Sequence, residues 1–351
     1  MIAKQIRVVV AGLGNMGRSH ALAYHRNPAF DLVGLVNRST PRLDPALAGY
    51  AVEPDFNATL NRLKPDLVCV STYSDSHADF AVAAMEAGAH VFVEKPLATT
   101  VADARRVVDC AKANGKKLVV GYILRHHPSW MRLIAEARAL GGPYVFRLNL
   151  NQQSSGPTWD THKQLMQTTS PIVDCGVHYV DVMCQITDAK PVEVRGMGLR
   201  LSDEIAADMY NYGHFQVLFD DGSLGWYEAG WGPMMSDTAF FVKDVVSPNG
   251  AVSIKIPEGA KSDDHETHAK TNLLRIHRVG QPDQDLNMAD EPGHQELCER
   301  EQAFVARAIR EDIDLTRHME DAVQSLAICL AADESVRSGK PVKLRGRDGR
   351  T

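Results

Sequence analysis

Ile6-Arg7-Val8-Val9-Val10-Ala11 runs straight into Gly12-Leu13-Gly14-Asn15-Met16-Gly17. A short apolar run is what a parallel strand buried on both faces requires. The hexapeptide after it is G-x-G-x-x-G. That pattern is weak alone, but here it lies between a strand and a helix pattern that opens at Asn15 and stops near His25, before Asn27-Pro28. Gly12 allows a tight turn, Gly14 lets the backbone approach a pyrophosphate, and Gly17 lets the helix pack on the strand. A helix N-terminus offers free N–H groups and partial positive charge to phosphates. The competing reading is a glycine-rich turn with no ligand.

Working outward, the first 124 residues alternate strand and helix patterns. Leu32–Val36, Leu67–Ser71, His90–Val93 and Lys117–Gly121 read as strands. Ser76–Ala87 and the stretch opened by Thr100-Val101-Ala102-Asp103 read as helices. This rhythm predicts an α/β, doubly wound, parallel Rossmann sheet over 1–124. The remainder, 125–351, changes character. Helices are expected at Pro128–Leu140 and Ile172–Ile186. Alternating strands follow at Val192–Leu201, Tyr210–Phe219, Leu224–Ala229, Ala239–Val246, Ala251–Ile256 and Leu273–Val279. Pro257–Gly293 reads largely as a surface loop, and two helices, His294–Glu311 and Thr316–Ser338, close the chain. The second domain is therefore an α+β unit on an open, mostly antiparallel sheet.

Composition bounds the function. The 351 residues carry 38 basic and 44 acidic side chains, a net charge of −6. A general nucleic-acid binder would show a basic surplus or stripe. The first 124 residues hold 14 basic against 11 acidic side chains, which suits an anionic ligand or is a chance feature of a solvated surface. The acidic excess after them is assigned to solvated segments that include Asp283, Asp285, Asp290 and Glu291. Six cysteines without C-x-x-C spacing argue for reduced thiols and against a disulfide framework or metal site. No apolar run approaches 18 residues and no signal-peptide pattern opens the chain, so the expectation is a cytoplasmic protein without membrane contact.

The residue that meets the adenosine ribose is expected about 20 positions beyond the turn. Asn37-Arg38-Ser39 stands there, with no carboxylate. Arg38 and Ser39 suit a 2′-phosphate, favouring NADP(H). Alternatively, Asn37 binds the ribose of NAD(H) and Arg38 is solvated. Glu94-Lys95-Pro96 ends the fourth strand, at the sheet edge where ligands of open α/β sheets bind. A cation there would stabilise a developing alkoxide, unless Lys95 is an ordinary surface lysine. Asp174 and His178 lie four apart on a predicted helix and share a face. Histidine suits proton transfer from an alcohol that loses hydride, although an Asp/His pair at this spacing can equally be structural.

Taken together, these residues resemble the Gfo/Idh/MocA family (glucose–fructose oxidoreductase/inositol dehydrogenase-like). The resemblance rests on Gly12-x-Gly14-x-x-Gly17, Glu94-Lys95-Pro96 and Asp174-x-x-x-His178 in order. Ser76-His77-Ala78 through Ala87-Gly88-Ala89-His90-Val91 and the closing Ser335–Val342 also match. It implies catalytic roles for Lys95, Asp174 and His178. It implies cofactor contacts from Thr72, Tyr73, His77, Glu94, Lys95 and Arg125. Tyr122 would stand beside the nicotinamide on the substrate side. It also implies a homodimer or homotetramer through the second sheet. Trp159 and Lys163, upstream of the Asp174 helix, are candidate substrate contacts, as are His162 and Trp231. Two segments depart from the family pattern: Thr169-Ser170-Pro171 and Thr72-Tyr73-Ser74-Asp75. The expected activity is hydride transfer between NAD(P) and a sugar, cyclitol or related polyol. A nicotinamide-sensing regulator and an NAD-dependent glycosidase of the same fold are the alternatives.

Overall fold

The computed structural model describes residues 4–238, 240–256, 258–262 and 271–344. Residue 239, the first of one expected strand, and part of the expected loop 257–293 lie outside the described residues. The chain forms two compact units. One holds Met1–Ile123 with Gln295–Val323, the other Leu124–His294 with Gln324–Thr351.

The first unit runs β1 (Ile6–Ala11), α1 (Asn15–Arg26), β2 (Phe30–Val36), β3 (Val52–Glu53), α2 (Phe56–Leu63), β4 (Leu67–Val70), α3 (His77–Glu86), β5 (His90–Val93), α4 (Val101–Ala113) and β6 (Leu118–Val120). The sheet is parallel in the order β3-β2-β1-β4-β5-β6. Order reverses between β1 and β4, the crevice where such sheets bind ligands. Thr100 caps α4: its hydroxyl accepts the Asp103 amide at 3.0 Å and donates to the Asp103 carboxylate at 2.8 Å. β3 and α2 escape the sequence pattern. β3 is only two residues long, and α2 is opened by Asp55, which accepts from the Ala58 amide at 2.9 Å.

The sequence draws one cut after residue 124, whereas this unit also contains α8 (His294–Arg310) from Gln295 onward. Val305, Ala306 and Ala308 of α8 are buried with Val8, Tyr24 and Leu35 in one core. An amphipathic stripe shows that a helix packs, but not on which sheet.

The second unit contains α5 (Pro128–Leu140), β7 (Val145–Gln153), α6 (Gly156–Leu165), α7 (Pro171–Ile186), β8 (Pro191–Leu199), β9 (Tyr212–Phe219), β10 (Leu224–Gly232), β11 (Lys243–Ser247), β12 (Gly250–Lys255), β13 (Leu273–Arg278) and β14 (Gln284–Asn287). α9 (Thr316–Ser338) is divided between the units after Val323, and β15 (Val342–Lys343) follows. The strand order is β14-β13-β12-β11-β7-β10-β9-β8-β15. β7 and β10 pair in parallel and the other pairings are antiparallel. Phe215, Val217, Phe219, Tyr227 and Ala229 bury one face of the sheet. α7 packs on that face because small residues permit it. A Cβ at Gly225 would stand 2.8 Å from the Met183 sulfur, and one at Gly176 would stand 3.1 Å from the Tyr227 ring.

Two expectations about the later segments are corrected. Gln284–Asn287 is a strand within the supposed loop, paired antiparallel with β13, and Arg275 of β13 meets Asp285 across it through two 2.7 Å bonds. Glu291 is buried rather than solvated. Its carboxylate accepts the Ser129 amide in the first turn of α5 at 2.9 Å and the Thr271 amide at 2.8 Å. A carboxylate at a helix N-terminus satisfies orphan donors and the dipole together.

Candidate active site

The candidate residues divide between the two units. In the first unit, Gly12 has φ +87° and its carbonyl oxygen lies where a Cβ on Gly17 would fall. Gly14 is the N-cap of α1 and is exposed, with nothing within 4 Å of where its Cβ would project. No side chain caps this helix and no acidic residue stands in its first turn. Leu13 is buried, Asn15 is exposed and Met16 is half-buried on the same turn. An open helix N-terminus with no side-chain cap, no acidic neighbour and glycine at its lip fits a diphosphate.

Asn37, at the end of β2, does not stand free for a ribose. Its Oδ1 accepts the Leu13 amide at 3.0 Å, and its Nδ2 donates to the Ser39 carbonyl at 2.7 Å and toward the Ser39 hydroxyl at 3.3 Å. It clasps the phosphate turn to the next loop. Arg38 is exposed beside it.

At the ends of β4 and β5, His77 links two loops. Nδ1 lies 2.8 Å from the Pro96 carbonyl and Nε2 lies 3.0 Å from the Thr72 carbonyl. Burial pushes its pKa down, because desolvation penalises the imidazolium. The Thr72 hydroxyl bonds Ser76 at 2.7 Å, and Tyr73 is exposed. Glu94 is buried. One oxygen lies 2.6 Å from His20 Nε2, and the other accepts the Lys95 amide at 3.1 Å. Lys95 is half-buried, and the Lys95–Pro96 peptide is cis. Tyr122 is buried with its ring edge-on to His318, centroids 6.3 Å apart.

In the second unit, α7 presents Asp174 and His178 one turn apart. With Gln185 they are the residues of this helix that are not buried. Ser170 caps α7, accepting the Val173 amide at 3.1 Å, and donates to buried Asp333 at 2.7 Å. The departure Thr169-Ser170-Pro171 thus supplies a cap and an N1 proline. Arg125 grips Asp181 on the same helix. Trp159 donates its indole N–H to Glu204 at 3.2 Å, while Lys163 reaches Glu204 at 2.8 Å and Asp160 at 3.1 Å. A cavity of about 300 Å³ opens beside Lys163, lined also by Asp160, Gln164, Met166 and Glu204. Trp231 is buried and covered on one face by His162, with centroids 4.3 Å apart at 8°.

His20, Gln302, Ser170 and Asp333 escaped sequence reading because their partners lie far away in sequence. So did Lys243, which is buried with its ammonium 4.3 Å from the Tyr179 ring and 4.6 Å from that of Phe241. Among the described residues, no group of three or more His, Cys, Asp or Glu side chains could hold a metal ion. No described helix is long and apolar enough to cross a membrane.

Similarity to known proteins follows the same division. Residues 6–122 match the family model described as an oxidoreductase family with an NAD-binding Rossmann fold, and residues 130–242 match the GFO/IDH/MocA C-terminal domain. Inositol 2-dehydrogenase of Salmonella paratyphi B is 28% identical over 186 residues, 51% of this chain and 53% of that protein. D-glucoside 3-dehydrogenase of Escherichia coli is 30% identical over 189 residues, 52% and 54% of the two chains. Each match thus spans about half the length of the curated relative. An oxidoreductase domain protein from Kribbella flavida has a similar solved structure, with TM-score 0.80 and 22% identity over 98% of this chain and 100% of that one. With both halves matched in order and the fold shared along nearly the whole length, the chain belongs to the Gfo/Idh/MocA oxidoreductase family.

Proposed function

We propose that this protein is an NAD(P)-dependent dehydrogenase or reductase of a sugar, cyclitol or related polyol. The observation that carries the reading is on α7. Asp174 and His178, one turn apart, reach out of a helix whose other residues, except Gln185, are buried. The relatives named as inositol and glucoside dehydrogenases support the substrate class.

The Gly12–Gly17 turn and the α1 N-terminus hold the diphosphate, with Leu13, Asn15 and Met16 shaping the turn. Thr72, Tyr73 and His77 line the adjoining edge. When bound, the nicotinamide accepts or supplies the hydride. The Lys95 ammonium stabilises negative charge on the substrate oxygen. His178 takes the hydroxyl proton on an imidazole nitrogen, and Asp174 orients a substrate hydroxyl and favours the imidazolium. Arg125, paired with Asp181, is read as a cofactor contact and buried Tyr122 as standing beside the nicotinamide on the substrate side. Trp159 and Lys163, with Glu204, offer donors and an acceptor for outer hydroxyls.

NADP(H) is the favoured cofactor. A carboxylate that would repel a 2′-phosphate is missing from the end of β2, and the Asn37 amide is already committed. The oligomer is read as a dimer or tetramer through the second sheet. Its outward face exposes Met197, Leu199 and Leu218 beside polar neighbours. The cytoplasm is the proposed location.

A panel of myo-inositol, scyllo-inositol, glucose and alkyl glucosides tests the reading, each scored for NADPH and NADH change and for product. Turnover of one member with redox change is expected, with Arg38→Ala raising the KM for NADP about tenfold or more while leaving NAD unaffected. Glycoside cleavage without net redox change, or cofactor binding without turnover of any member, defeats it.

A further inference from the structure

Behind Lys95 lies a buried chain of polar side chains within the first unit. Tyr24 and His20 of α1, Glu94 after β5, and Glu301 and Gln302 of α8 are all buried. The Tyr24 hydroxyl donates to Gln302 Oε1 at 2.5 Å, so the amide nitrogen of Gln302 is the end that faces His20, 3.0 Å from Nδ1. An amide nitrogen only donates, so Nδ1 must accept. Nε2 therefore carries the proton and donates it to Glu94 Oε1 at 2.6 Å. The other Glu94 oxygen accepts the Lys95 amide. From Tyr24 to Glu94 every hydrogen bond points the same way, and the Lys95 amide meets the same carboxylate from the other side. Phe92 packs edge-on against the imidazole, with centroids 4.7 Å apart, and holds the ring in place.

The second carboxyl in this pocket, Glu301, supports the arrangement. Burial, with the nearby Glu94 beside it, pushes its pKa well up and favours its neutral form. Cys69 and Cys298 also face the pocket, and burial pushes their thiols up.

We infer that His20 is a positioning residue for Lys95. Locked as its Nε2–H tautomer by Gln302 and Tyr24, it clamps Glu94, and Glu94 fixes the backbone from which the Lys95 side chain springs. A one-way chain of this kind is sensitive to direction. Reversing a single member leaves two donors or two acceptors facing each other in a buried site.

The inference rests on the proposed role of Lys95, and the test keeps the two apart. Nitrogen-15 histidine NMR on the full chain, with His20 assigned by comparison with His20→Asn, is expected to show protonation on Nε2 alone. Gln302→Met removes the donor that holds Nδ1 as an acceptor and should free the ring proton to sit on either nitrogen. Amide exchange at Lys95 should then accelerate about tenfold or more, while Phe92 and Val93 change little. Tyr24→Phe, which frees the Gln302 amide to turn, should populate both tautomers. In turnover of myo-inositol with NADP, Gln302→Met should lower kcat about tenfold with NADPH affinity within about threefold. A wild-type His20 protonated on Nδ1, or Lys95 exchange unchanged once the ring proton is freed, overturns the inference. Full turnover by Lys95→Met instead defeats the functional reading and leaves the NMR and exchange results standing.

Discussion

Arg125 holds Asp181 through two parallel hydrogen bonds, Nε to one oxygen at 2.8 Å and Nη2 to the other at 2.6 Å, and the carboxylate is fully buried. Gln185 adds a third donor at 2.9 Å. The pair ties the segment after residue 123 to the middle of α7, three residues beyond His178. Removing one partner leaves a buried charge uncompensated, which costs about 3–5 kcal/mol. Arg125→Ala should therefore lower unfolding stability by about that much in urea or guanidinium titrations, mainly because Asp181 is left buried and charged. A loss below about 1 kcal/mol would show that the pair contributes little.

Gly14 and Gly17 should separate binding from folding. A methyl at Gly14 projects into open space with φ −68°, which any residue adopts. Gly14→Ala should keep the melting temperature within a few degrees, roughly the effect of 1 kcal/mol or less. It should still weaken NADPH binding, read by fluorescence, by about tenfold or more, because the methyl occupies the diphosphate approach. Gly17→Ala drives a methyl into the Gly12 carbonyl and should lose stability as well as binding. Equal behaviour of the two variants would remove the distinction.

Lys95→Ala and His178→Ala are expected to retain NADPH affinity within about threefold while kcat falls by about 10²–10⁴. Stopped-flow or steady-state kinetics on the best member of the panel reads the split. Near-normal kcat in both would refute the assigned roles.

Asp333 predicts a pH effect with a defined sign. Burial raises its pKa above the usual carboxylate value, outweighing the hydrogen bonds from Tyr210 and Ser170 that lower it. The folded state therefore holds a proton at pH values where the unfolded chain has released it, and stability falls as pH rises from the ordinary Asp range through the raised folded value. Asp333→Asn keeps the oxygen that accepts from Ser170 and Tyr210 and removes the titration. The stability of Asp333→Asn relative to wild type should increase from about pH 4 toward neutrality. A difference that stays flat or declines over that range would contradict the assignment.

How much was legible follows from how local each feature is. The turn Gly12–Gly17, the strand–helix alternation around it and the α7 spacing of Asp174 and His178 depend on neighbours a few residues apart. Pro128–Leu140 and Thr316–Ser338 are helices with the boundaries expected. The short pieces β3, α2 and α6 were not legible, because two to ten residues with few apolar positions carry little periodic signal. Trp231 looked like a stacking platform for sugar, yet His162 from α6 covers one of its faces. Asn37 looked like a ribose contact, yet both ends of its amide hold backbone or a neighbouring hydroxyl.

By itself, then, the sequence determined a dinucleotide-type parallel sheet and a second mostly antiparallel sheet, and singled out Lys95, Asp174 and His178 as candidates. These follow from period, turn chemistry and residue type along short windows. Only the tertiary structure decided that α8 belongs to the first core. It also decided that Arg125 pairs with Asp181, that Glu291 caps a distant helix, and that His20 meets Glu94 across 74 positions of chain. Such pairings are set by which apolar faces are buried together and by the need to satisfy every polar group carried inside with them. Neither condition is visible until the chain has closed on itself.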